Sequence, residues 1–152
     1  MKNTLKIVLL AAVSMISLTQ LSQASPNQEQ TAMPEQDKWV QIPDTTQNEV
    51  ITYVNTQSIT QNPDNSTWRD FEFIAQATPG ANPPSIPENG SIALNATLDC
   101  SQGTARINQV RIYTQLYAQG EPAGTMAGSR SFQPQTNEAS AQLIMSIVCK
   151  QP

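Results

Sequence analysis

From Gly90 to Cys100 the side chains alternate. Ile92, Leu94, Ala96, Leu98 and Cys100 point one way, while Ser91, Asn95, Thr97 and Asp99 point the other. A period of two over this length is a half-buried strand with one face on a core and the other toward solvent. The Cys100 thiol then lies on the core side. The chain's other cysteine, Cys149, comes after a stretch of different period, so whatever joins the two links a strand to a different kind of element.

That last stretch repeats every four residues. Ala139, Leu143 and Ile147, with Ser140, Ile144 and Val148, make one apolar helical stripe. Thr136 or Asn137 suits the cap, Glu138 the first turn and Lys150 the end. Cys149 sits off the centre of the stripe, so the helix is expected to fray or turn there. A second alternating run, Arg106 to Tyr117, follows Ser101-Gln102-Gly103, a connection short enough for a hairpin. Shorter strands are expected at Trp39–Ile42, Val50–Val54, Trp68–Ala77 and Ser129–Gln133. Asn62-Pro63-Asp64-Asn65 reads as a turn, since proline sets φ and the Asx side chains support the bend. The fold class expected is α+β: one antiparallel sheet of about five to six strands with a C-terminal helix on one face.

The start of the chain reads as an export signal. Lys2 and Lys6 precede an apolar stretch from Ile7 to Ile16, and Ser22-Gln23-Ala24 places small residues before a cleavage point between Ala24 and Ser25. The alternative, a membrane anchor, would need an apolar run of about 18 residues or more. No cysteine follows the apolar stretch, so a lipid anchor at the new N-terminus is not expected. Residues 25–37 carry almost no apolar side chains and read as a flexible spacer. All eight aromatic residues lie in 38–152, which is the expected folded domain.

An exported chain with an even cysteine count usually spends its cysteines on a disulfide. Two cysteines allow only Cys100–Cys149, and closing a loop of about 50 residues is worth about 4 kcal/mol in the chain-entropy view. A redox pair would need the two close in sequence. The expected bond staples the helix to the core side of the Cys100 strand.

The chain has no histidine. That excludes Ser-His-Asp and Cys-His machinery and any His-ligated metal site. No calcium-loop order and no Gly-rich phosphate loop is present, so no cofactor or metal is expected. After cleavage Lys38, Arg69, Arg106, Arg111, Arg130 and Lys150 stand scattered against twelve acidic side chains, a net charge of about −6. Nucleic acid and anionic membranes want a clustered basic face, and neither is an expected partner.

Asp70 and Glu72 share one strand face, as the acid and base of a hydrolase such as a glycosidase would. The alternative is a solvated strand face. Thr78–Asn89 carries Pro79, Pro83, Pro84 and Pro87 and is longer than most connections in compact domains. It is either a tolerated insertion or a pre-ordered contact loop. Arg111, Tyr113 and Tyr117 fall on the polar face of their strand and have the composition of a protein-contact patch. A second packing layer or a homodimer face is the other use of such residues. The Asn-x-Ser/Thr sites at Asn65, Asn89 and Asn95 would matter only in a eukaryotic secretory pathway, and the short Lys-containing start looks bacterial.

Trp39-Val40, Tyr53-Val54-Asn55, Ser58-Ile59, Leu98-Asp99-Cys100, Tyr113 with Gly120-Glu121, and Val148-Cys149 occur in an order that resembles the surface-adhesin protein E family of Gram-negative bacteria. The resemblance runs from about Lys38 to Cys149. It implies an antiparallel sheet with a C-terminal helix tied on by the disulfide. It also implies a non-enzymatic surface or periplasmic protein, its best-known member an adhesin for host extracellular components. Asn55 stands where the family has Asp. The function expected is therefore an exported binding protein whose partner is a host matrix or serum protein. The alternative is a periplasmic protein that binds another envelope protein.

Overall fold

The computed structural model describes residues 36–43, 49–135 and 138–151. The expected export signal, its cleavage point, most of the spacer and the capping residues Thr136 and Asn137 lie outside the described residues. The last two residues of the expected spacer, Gln36 and Asp37, form a 3-10 turn with Lys38. Strands β1 (Trp39–Ile42), β2 (Val50–Gln61), β3 (Trp68–Ala77), β4 (Ser91–Asp99), β5 (Thr104–Tyr113) and β6 (Gly124–Ala127) follow, then β7 (Gln133–Pro134) and helix α1 (Ala139–Val148). They make one antiparallel sheet in the order β1-β2-β3-β4-β5-β6, with β7 off this path on β5. Among the described residues no helix is long and apolar enough to cross a membrane.

The alternation read in Gly90–Cys100 sets the sheet's sidedness. Ala96 and Leu98 lie on the α1 side with Ile42, Val54 and Phe71, and Val148 of α1 closes over them, fully buried. Leu143, Ile144 and Ile147 pack beside it half-buried, so the four-residue stripe meets the sheet as expected. Burying one such side chain contributes about 1.5–3 kcal/mol. Cys149 is the residue that ends α1, donating its N–H to Met145, and its sulfur bonds Cys100 across a separation of 49 residues. The strand-to-helix staple is present.

Four expectations need correction. β2 does not stop at Val54 but runs to Gln61, through an irregularity between Asn55 and Thr60. Its second half, Thr56-Gln57-Ser58-Ile59-Thr60-Gln61, is too polar to show an apolar period. β5 ends at Tyr113 rather than Tyr117, because Tyr117 (φ 58°) and Ala118 (φ 53°) turn left-handed and fold the chain back over the sheet. The strand expected at Ser129–Gln133 is absent. β6 lies earlier, at Gly124–Ala127, and β7 later. Between them Gly128 presses so close to β5 that a Cβ there would be 1.9 Å from the Ile107 carbonyl oxygen. Finally, Glu138 caps α1 from just outside its first turn and makes no side-chain capping bond.

The hairpins obey their turn chemistry. Asp64 and Thr67 donate backbone N–H groups to the side chains of Asn62 and Asn65. Between β4 and β5, Gly103 adopts φ 64° while Asp99 accepts from Ser101 and Gln102. The Ser101 hydroxyl foremost, with the Ser101, Trp68 and Gln102 N–H groups, holds the Asp99 carboxyl below its ordinary range. The long Thr78–Asn89 connection is tied by successive turns, Ala81 to Thr78 and Ile86 to Pro83, and anchored by buried Pro83 and Ile86.

Candidate functional site

The face of the sheet opposite α1 carries the chemistry. Period two places Trp68, Asp70, Glu72, Ile74 and Gln76 of β3 there. The register sets them beside Asp99, Thr97, Asn95, Ala93 and Ser91 of β4. Because the register is fixed by the apolar face, these polar side chains meet one another in rows.

At one end the Trp68 indole donates to Asp99 at 3.0 Å. The Arg106 guanidinium lies 5.3 Å from the Trp68 ring centre and 5.0 Å from that of Phe132, and the two rings are 4.7 Å apart. The ring faces are electron-rich, so this tilted pair holds the cation by its quadrupole attraction. Arg106 Nε is buried and has no hydrogen-bond partner among the described residues.

One row in, Asp70 accepts from Thr97 at 2.5 Å and from Asn62 at 2.7 Å, and Asn108 donates to Thr97 at 2.8 Å. Next, Arg111 pairs with Glu72 and also reaches Asn95 at 3.3 Å. Asn55 completes this row. Its side-chain oxygen accepts the N–H groups of Gln57 and Ser58 at 3.1 and 3.2 Å, which shapes the β2 irregularity. Its amide donates to Glu72 at 3.5 Å. The Ser58 hydroxyl links the bulge to β3 by accepting the Glu72 N–H at 2.8 Å. An Asp at position 55 would keep the two acceptor contacts but set a second carboxylate against Glu72.

At the far end the left-handed segment lies over the sheet. Tyr117 donates its N–H to Gln76 at 3.1 Å, and Ala118 donates to the Ser91 hydroxyl at 2.8 Å. Gln76 and Ser91 are both buried. The Tyr117 ring meets Tyr53 edge-on at 5.8 Å. Burial first, then the charge and hydroxyl of Tyr117, push the Tyr53 phenol up to about 12.

Of the three sequence-derived contact residues, Arg111 is half-buried and committed to Glu72. Tyr113 is only 5% exposed, packed with Ile74 and Ala93 beneath the left-handed segment. Tyr117 has left the strand altogether. Asp70 and Glu72 do share a face, as expected, and both serve as hydrogen-bond acceptors within the sheet. No group of metal-ligating side chains occurs among the described residues. The cluster of Arg106 with the rings of Trp68 and Phe132 and the Gln76–Ser91 anchor escape a reading of the sequence, because no local pattern connects residues so far apart.

The family model described as surface-adhesin protein E matches residues 39–150, which takes in every strand and α1. No curated protein and no solved structure matches the chain.

Proposed function

This chain belongs to the surface-adhesin protein E family, and from that premise we propose that it is an exported, non-enzymatic binding protein. Its partners in this reading are host extracellular-matrix or serum proteins, and its role is adhesion. The family match over 39–150 is the observation that carries the reading. The sheet face opposite α1 supports it: the side chains there are already held by one another, so little ordering entropy is lost on docking. Thr97, Asn62 and Arg111 occupy the carboxylates of Asp70 and Glu72, which favours binding over acid–base chemistry at that pair.

We place the contact patch on Arg111 and Tyr117, with buried Tyr113 packed beneath Ala118 of the left-handed segment. Export by removal of residues 1–24 belongs to the same reading. Titrating immobilised matrix and serum proteins with the purified protein is the test. Saturable binding that Arg111→Ala weakens is the expected result, and no saturable binding to any of them overturns the proposal.

A periplasmic protein that binds another envelope protein is the second reading. It is favoured by one observation: both cysteines are spent in the disulfide, which leaves no thiol on this sequence for a lipid. Protease treatment of intact cells separates the two, since protection inside the cell favours the periplasmic reading.

A further inference from the structure

The chain's one Asn–Gly dipeptide, Asn89–Gly90, sits where the Pro-rich connection enters β4. Asn89 is exposed and left-handed (φ 55°), in a turn closed by the Gly90 N–H donating to the Pro87 carbonyl at 2.9 Å. Asn is among the few residues that tolerate this backbone. In an open chain an Asn followed by Gly is also reactive. When the peptide nitrogen after an Asn loses its proton, it can attack the side-chain Cγ, and glycine offers that attack the least hindrance. The nitrogen–Cγ bond forms, the Cγ–Nδ2 bond breaks and Nδ2 leaves as ammonia. Water then opens the cyclic imide to aspartate or to isoaspartate.

In the folded chain that nitrogen is occupied. Its proton is held by Pro87, and Gly90 is buried. There is no slack around it either: a Cβ on Gly90 would lie 2.4 Å from the Tyr113 carbonyl oxygen and 2.8 Å from Pro87 Cβ. The next residue, Ser91, is fully buried. Its hydroxyl donates to the Gln115 carbonyl at 2.6 Å and accepts from the Ala118 N–H at 2.8 Å. Those two bonds, together with the Tyr117 N–H donated to Gln76 at 3.1 Å, hold Tyr117 and Ala118 in left-handed conformations, which are strained for residues with a Cβ.

We infer that Asn89–Gly90 is a spontaneous modification site, kept unreactive by the folded turn, whose conversion to isoaspartate frees the loop that carries Tyr117. Isoaspartate adds a methylene to the main chain, and Gly90 has no room to take it up. Ser91 is then displaced from Gln115 and Ala118, and the left-handed pair relaxes. The inference concerns the chemistry of the turn and does not depend on what the protein binds.

The test compares the purified protein, disulfide intact, with the same protein reduced and denatured, both held at mildly alkaline pH. Isoaspartate at position 89 is followed by peptide mapping and ammonia release. The folded protein should react roughly tenfold more slowly or better, because only transiently opened molecules react. Ile86→Ala, which removes a buried anchor of the connection, should raise the folded rate. Asn89→Gln, whose longer side chain would have to close a larger ring, should abolish the reaction. Folded protein carrying isoaspartate should show faster amide exchange at Tyr117 and Ala118, with α1 unaffected. Equal rates in the folded and denatured protein overturn the inference, as does unchanged exchange at those two amides after conversion. Should Ile86→Ala fail to fold, the comparison of folded with denatured protein still decides the first point.

Discussion

Arg111 on β5 reaches past β4 to pair with Glu72 on β3, so one ion pair spans three strands of the sheet's polar face. Both side chains are about a quarter exposed, at 29% and 24%. Solvent screens such a pair, and its net contribution is about 0–1 kcal/mol. Its larger role is positional, because it holds the Arg111 head in place beside Asn95.

Glu72→Gln is therefore expected to lower stability by about 1 kcal/mol or less. A double-mutant cycle with Arg111→Ala, measured by urea unfolding, should return a coupling of that size. A coupling of several kcal/mol would mean that the pair is a structural anchor rather than an orienting contact.

Asn55→Asp should destabilise the protein by about 1 kcal/mol near neutral pH, since it trades a donated bond for a carboxylate beside Glu72. A like charge raises a carboxyl's folded pKa, so the penalty is present above that pKa and is relieved as pH falls through it. Thermal unfolding of both proteins at neutral and acidic pH checks this. A penalty that stays constant with pH would assign the loss to geometry alone.

Cys100→Ser should cost about 4 kcal/mol, the value for a loop of about 50 residues. Reducing the unmodified protein should lower its melting temperature to that of the variant, and reductant should leave the variant unchanged. An unaltered melting temperature would show that α1 stays docked through Val148 and its apolar neighbours alone.

Tyr117→Phe removes a charge and a hydroxyl that raise the Tyr53 phenol, while the surrounding burial remains. The Tyr53 titration should thus move down from about 12 but stop short of 10.0. The sign follows from the raised folded value: the neutral phenol is favoured in the fold. The associated stability is complete below the unfolded value near 10.0 and is lost as pH rises through about 12. The variant should lose less stability over that window. Tyrosinate absorbance read alongside unfolding measures both.

The elements with a strong period were legible in the chain. Gly90–Cys100, Trp68–Ala77 and the stripe of α1 show in sequence because one face of each is buried, and burial imposes a repeat on side-chain polarity. The second half of β2 and the short β6 carry no such repeat. They exist because β3 and β5 offer ladder partners. The same holds for the face opposite α1. Asp70 and Glu72 could be placed on one side of a strand, but their partners Thr97, Asn62 and Arg111 come from distant residues.

By itself the sequence determined the sheet's two-sidedness, the helix that covers one side and the single disulfide open to two cysteines. Each of these follows from a local period or a count. Only the tertiary structure decided where β5 stops, that Tyr113 is buried while Tyr117 turns back over the sheet, and that Arg106 lies against the paired rings of Trp68 and Phe132. The reason is physical: these outcomes depend on contacts between residues far apart in the chain. Gln76 and Ser91 capture the left-handed segment from two different strands, and no stretch of neighbouring residues encodes that capture.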